Sequence, residues 1–273
     1  SMNSFAMIGM FLATFPLAYV VTAIGWREGF TLIAIAAFVL TAFAAVAIRD
    51  WPGAPPETGT SHENLQQILN GVGQALKTRH ALKIASAGIS LSTGSLFLSL
   101  WGGPYLNDVH SLTETERGEV LMFMALAGVT GHFAFGKLAR ALNTLKGIVL
   151  FGSGLAAVVM ATMAFLIDPS RLVVTLLFGV LGFACGFPSI LLAHARSIMP
   201  DRLMGRGIAV VNTGIMISIA LMQTAVGTII NFKAGSDLTP DTESYRLAFA
   251  FLAVMAAASF LIYTRVDDRR PRG

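Results

Sequence analysis

His132 is the side chain in this sequence most able to move a proton across a membrane. It falls near the middle of a long apolar stretch. An ionisable group at that depth is a functional candidate by default, and histidine titrates in the physiological range. A neutral histidine bridging two helices is the blander alternative, and the residues around it leave both open. The other titratable group at similar depth is Cys185, the single cysteine. It has no internal disulfide partner and reads as a buried thiol. Asn212 and Gln223 place two amides in another apolar stretch, roughly 16 Å apart along a helix. Buried amides are costly without partners, so they either bond across helices or line a water path.

Soluble-enzyme chemistry is not expected. The sequence holds no Walker loop, no HExxH and no CxxC, and the run Gly179, Gly182, Gly186 lacks the preceding strand of a dinucleotide fingerprint. Intramembrane hydrolysis needs a nucleophile with its base, or two acids, and no Asp or Glu falls inside an apolar stretch. No catalytic residue, metal site or cofactor is therefore expected; an enzyme built on His132 is the residual alternative.

The elements that must carry these residues are long and apolar. The chain has 273 residues, 55% hydrophobic and only 12% charged, against about 25% charged in soluble domains. A hydrocarbon core of about 30 Å needs about 20 apolar residues per helix. Eight stretches qualify: Ser4–Ile24, Gly29–Ile48, Ala81–Trp101, Glu119–Ala139, Gly147–Ile167, Leu172–Ala195, Gly207–Ile230 and Tyr245–Tyr263. The first has no basic leader and an internal Pro16, so it is not read as a signal peptide. The expected fold is an all-α membrane bundle of eight helices in a two-plus-six arrangement. Its parts are two spans over 1–49, a connection over 50–80 and six spans over 81–273.

Charge gives the orientation. With the 50–80 connection in the cytoplasm, only Arg27, Arg117, Arg171, Lys233 and Arg246 of the 19 Lys and Arg lie outside. That bias matches the positive-inside rule and puts both termini of this chain in the cytoplasm, consistent with a bacterial inner membrane. The basic residues alternate between loops and form no stripe, which excludes a nucleic-acid partner. Within the connection, Asp50–Ser61 is a Pro- and Gly-rich linker. His62–Arg79 then spaces Leu65, Ile68, Leu69, Val72 and Leu76 as an amphipathic helix, with Ser61 a reasonable N-cap. It either lies on the membrane surface or packs against the membrane domain.

Several spans carry two-sided patterns. In the third, Gly88, Ser92, Ser95 and Ser99 share one face and Ser86, Ser90, Thr93, Phe97 and Trp101 the opposite one. Small residues let membrane helices approach closely, so the first stripe reads as packing. The second mixes hydroxyls with aromatics, which suits a wetted cavity wall; alternatively its hydroxyls bond their own backbone. The sixth span has a small-residue ridge at Gly179, Gly182, Gly186, Ser189 and Ala193, beside Phe183, Phe187, Ile190 and His194, and Pro188 should kink it. The seventh sets Gly207, Val211, Gly214 and Ser218 against Asn212, Met216 and Gln223.

In this order the stretches resemble the major facilitator superfamily. Pro16, Leu17 and Ala18, then Gly25, Trp26, Arg27 and Phe30, resemble that family's fifth helix and the loop after it. Trp101 to Leu106 with Asp108 resembles the end of its seventh helix, and Gly205, Arg206 and Gly207 with Asn212 and Gln223 resemble its eleventh. Gly136 to Arg140 stands where the family carries its eighth-to-ninth loop motif; Arg140, Asn143 and Thr144 depart from that pattern. The resemblance implies a twelve-helix fold of two halves, of which this chain matches helices five to twelve. It further implies a permease working by alternating access around a midplane site. Carried over by position, Ser90, Thr93, Phe97, Trp101, Phe187 and His194 would line the substrate cavity, with Asn212 and Gln223 more peripheral. His132 would be the proton-coupling candidate. With no Lys or Arg on those faces, a neutral or weakly polar solute is favoured. Because the first four family helices have no counterpart here, the expectation is either an N-terminally truncated transporter or a non-transporting scaffold. In the second case a partner chain or a second copy would complete it.

Overall fold

The computed structural model describes residues 9, 15–47, 64–78, 80–200, 203–234 and 240–268. The linker expected over Asp50–Ser61 and about half of the first expected span lie outside them. The described residues form helices with no strand. We number them α1 (Phe15–Ile24), α2 (Trp26–Ala47), α3 (Leu65–Lys77), α4 (Ala81–Asp108), α5 (Glu114–Ala141), α6 (Lys146–Phe165), α7 (Arg171–Ala184), α8 (Pro188–Ile198), α9 (Met204–Ala234) and α10 (Thr242–Tyr263). Among the described residues, seven spans are long and apolar enough to cross a membrane, with α7 and α8 together making one of them. Of the eight expected, the first lies in part outside the described residues, which hold its later part as α1.

The ends of the helices follow local chemistry. Thr113 accepts from the Glu116 backbone while the Glu116 carboxylate accepts from the Thr113 N–H at 2.9 Å, a capping box that starts α5 at Glu114 rather than at the expected Glu119. Ser170 and Asp241 cap α7 and α10 more simply, their side chains accepting from the Val173 and Ser244 N–H. Asn143 takes φ 51° just past α5, a left-handed position open mainly to Gly and Asn. Gly25, at φ 93°, is the single residue that turns the chain from α1 into α2.

Two further expectations for the spans are corrected. The third span does not stop at Trp101 but continues to Asp108 through a wider π-turn over Phe97–Trp101. Pro104 offers no N–H and its ring crowds the carbonyl one turn back, and the extra residue of a π-turn is a common way for a helix to absorb such a fault. Gly102 makes the turn possible, because a Cβ there would meet the Phe97 carbonyl oxygen at 2.0 Å. In the sixth span the kink expected at Pro188 is a full break over Cys185–Phe187, and Pro188 becomes the first residue of α8, where its missing N–H costs nothing.

The six helical spans from α4 to α10 form the bundle. α10 lies along α6, α7 along α5, and α9 along α4. Lipid supplies no hydrophobic drive between helices, so close backbone approach and packing hold them together. A Cβ at Gly182 would stand 2.1 Å from the Met124 carbonyl oxygen, and one at Gly186 2.5 Å from the Gly131 backbone. The ridge expected in the sixth span therefore seats α7 and the break on α5. Gly88 and Gly214 do the same for α4 and α9, meeting Ile215 and Ala85. Two buried clusters result. One holds Phe97, Tyr105, Phe178, Tyr245 and Phe249 toward the expected outer end, and the other Ile84, Phe135, Phe187, Leu191 and Tyr263 toward the expected cytoplasmic end. In the N-terminal hairpin, α1 lies against α2 and α5. The amphipathic helix, α3, packs on the start of α9, with Ala75 buried and the Arg206 guanidinium over Gly71.

Candidate functional site

A partly open cavity of about 230 Å³ lies between α4, α5, the α7–α8 span and α9. Leu91, Ser95 and Leu98 come from α4, Met124, Gly128 and His132 from α5, Cys185, Pro188 and Leu192 from the broken span, and Asn212, Ile215 and Met216 from α9. Spacing explains the set. Leu91, Ser95 and Leu98 are one turn apart on α4, as are Met124, Gly128 and His132 on α5, so each helix offers one stripe. At Gly128, α5 passes α7 with the Cβ position 3.5 Å from the Gly182 carbonyl oxygen, an ordinary packing distance.

Among the lining residues, His132, Ser95, Asn212 and Cys185 carry polar atoms, and none carries a formal charge at neutral pH. His132 is half-buried, and its Nδ1 is enclosed without a hydrogen-bond partner. Cys185 already has neighbours: its sulfur lies 3.7 Å from the Thr93 hydroxyl and 3.9 Å from the Ser90 carbonyl. Asn212 is exposed in the chain as described and lines the cavity.

The sequence-derived residues divide. His132 and Asn212 are brought together at this cavity. Ser90, Thr93 and Phe97 are fully buried on the opposite side of α4. There the Ser90 hydroxyl donates to the Ala256 carbonyl at 3.5 Å and Thr93 to the Ser90 carbonyl at 2.7 Å. Phe97 stacks on Phe249 at 4.9 Å between ring centroids. The two faces of α4 are separated as expected, but in this conformation the Ser95 face meets the cavity and the Ser90 face packs. Trp101 is half-buried against Gly227 of α9, with its indole N–H enclosed and unpartnered. Phe187 is buried in the cytoplasmic-end cluster. Gln223 is exposed away from the cavity wall.

His194 has a different setting. It is fully buried, its Nε2–H donates to the Asp267 carbonyl at 2.9 Å, and the Tyr263 hydroxyl donates to its Nδ1. Both ring nitrogens are thus satisfied in the neutral state. His80 lies 3.1 Å from the Asp267 carboxylate, and the next residue, Asp268, accepts from Thr144 at 2.7 Å and from the Lys146 N–H at 3.2 Å. Together they tie the segment after α10 to the ends of α4, α6 and α8.

Sequence reasoning did not single out Leu91, Leu98, Met124 or Gly128. The signal was present: Gly128 and His132 are one turn apart, and Ser95 sits in the stripe beside Gly88. An apolar lining residue, however, looks like any lipid-facing residue until its neighbours are known.

A bundle of apolar spans around a partly open, uncharged cavity fits a class of proteins that pass solutes through membranes. The family model described as Major Facilitator Superfamily matches residues 1–223, and the chain belongs to that family. No curated protein matches it.

Proposed function

We propose that this chain is a secondary transporter that moves a small solute by alternating access around the His132–Asn212 cavity. The observation that carries the reading is the cavity's position. It is walled by four spans, including the broken one, and its lining residues fall between the two buried clusters. A break inside a span frees backbone groups, which a membrane tolerates where they are buried in protein or line a cavity. The family supplies the transporter class; the solute, coupling and cycle are this reading's own. Uptake into proteoliposomes tests it. Ser95→Phe fills the cavity from α4, and flux is expected to fall at least about tenfold while the melting temperature holds. Undiminished flux through that variant would remove the cavity from the pathway.

His132 is the proposed proton-coupling residue, because its ring is the one titratable imidazole at the cavity wall. Flux should then depend on pH, and His132→Gln should flatten that dependence. A rate already independent of pH in the parent chain would end the proton role.

A second reading is favoured by α2. Among the described residues its apolar side chains, Phe30, Phe38, Leu40 and Phe43 among them, stay exposed, with α1 as its packed neighbour. That face is open to a membrane partner or a second copy, which would make the chain a subunit completed in the bilayer. Stoichiometric co-purification of another membrane chain, with no flux from this chain alone, would favour it.

A further inference from the structure

We infer that the cavity binds a neutral, mostly apolar organic molecule bearing a hydrogen-bond acceptor, which the His132 imidazole and the Asn212 carboxamide engage. The inference rests on the transporter reading for its setting and deepens it to a substrate class. Its grounds are the chemistry of the wall.

Leu91, Leu98, Met124, Ile215 and Met216 give the cavity apolar sides. A carboxylate or ammonium placed among them would lose its water and meet no opposite charge, because no lining residue is charged. An uncharged polar group can be satisfied there. His132 Nδ1 is enclosed without a partner, and a bare lone pair is the less costly of the two groups to leave unmade, since buried orphan N–H groups are the rarer kind. That places the proton on Nε2, so the ring offers a donor to a cavity ligand. Asn212 offers a donor and an acceptor from the opposite wall, on α9. Met124 and Met216 add flexible, polarisable surface that fits ligands of varied shape. A sugar, with hydroxyls on every side, would leave most of them unpaired against these walls.

The test uses the full chain in nanodiscs and four probes of similar size: benzamide, benzoate, benzylammonium and ethylbenzene. Binding is read by calorimetry. Benzamide is expected to bind at least about tenfold tighter than each of the other three, a difference of about 1.4 kcal/mol. His132→Leu and Asn212→Leu should each shrink the preference for benzamide over ethylbenzene, while ethylbenzene binding itself persists and reports an intact cavity. His132→Gln, which keeps an N–H donor, should retain part of it. Benzoate or benzylammonium binding as tightly as benzamide would overturn the inference, as would binding by none of the four. Flux separates this from the transporter reading. A charged solute carried by the parent chain and blocked by Ser95→Phe would sink the substrate class and leave the transporter standing. Benzamide bound with the expected preference but not moved would keep the site's chemistry and sink transport by this chain.

Discussion

At the scale of single residues, backbone approach and a few polar contacts decide tolerance. Gly182 has no room: a Cβ would sit 2.1 Å from a backbone oxygen of α5, and backbone cannot swing aside as a flexible side chain can. Gly182→Ala should cost about 1–3 kcal/mol as overpacking, seen as a lower melting temperature in detergent. Gly136→Ala is the control. Nothing lies within 4 Å of its Cβ position, and removing a glycine from a helix interior should leave stability unchanged or raise it by about 0.5–1 kcal/mol. On the outer side, the Tyr245 hydroxyl donates to the Asp108 carboxylate at 2.7 Å. Asp108 is exposed, so Tyr245→Phe should cost only about 1 kcal/mol, and a loss several times larger would show the bond to be more sheltered than it is here.

Elements are joined by contacts of unequal worth. Arg171, at the start of α7, reaches Glu116 at 2.7 Å and Glu119 at 2.8 Å on α5. All three side chains are substantially solvated, so Arg171→Gln should lower the melting temperature little, and less at high salt. The segment after α10 is held more firmly, because His194 bonds it from a fully buried position. His194→Phe would leave the Asp267 carbonyl without that donor and the Tyr263 hydroxyl without its acceptor. A loss of about 2–4 kcal/mol is expected for two such buried groups, with earlier proteolysis of the C-terminal segment as the second readout. The break between α7 and α8 was partly legible: Pro188 announced a disturbance, but not that the helix would stop at Ala184. The glycine ridge packs Gly186 onto the Gly131–His132 backbone, and that contact belongs to α5 as much as to the sixth span.

For the whole molecule, pH and assembly are the informative variables. His110 lies in the loop between α4 and α5, 3.2 Å from the Tyr105 hydroxyl. Burial holds its pKa below the ordinary histidine range, and Asp168 nearby opposes that only in part. A histidine depressed in the folded state binds its proton more readily when unfolded. Its contribution to stability is therefore present above about pH 6.5 and is lost as pH falls below that value. Melting curves should show the parent chain losing stability from pH 7 to pH 5 more steeply than His110→Gln; parallel curves would remove His110 from the account. Assembly is read from mass in detergent or nanodiscs. The exposed face of α2 predicts self-association or partner capture under the subunit reading, and a stable monomer with cavity-dependent flux would leave the transporter reading alone.

The sequence by itself determined the membrane class, the six spans from Ala81 onward, the charge bias and the family resemblance. The first three follow from composition, length and the placement of charges, which are read one helix or loop at a time; the resemblance rests instead on short motifs such as Gly205-Arg206-Gly207 standing in the family's order. It also set Ser90 and Ser95 on different faces of α4, and singled out His132 and Asn212 as polar side chains within apolar spans, each with a structural alternative left open. Only the tertiary structure decided which face of α4 meets the cavity. Ser90 and Thr93 look suited to a wet wall, yet each satisfies its hydroxyl on a backbone carbonyl and packs toward α10 or the sixth span. Ser95 and the plain apolar residues beside it meet the open space. A hydroxyl in a membrane helix can find its partner within its own turn, so its presence does not say which way water lies. That depends on which neighbours the glycines at 88, 182 and 214 bring close, and closeness between helices is not written in any one of them.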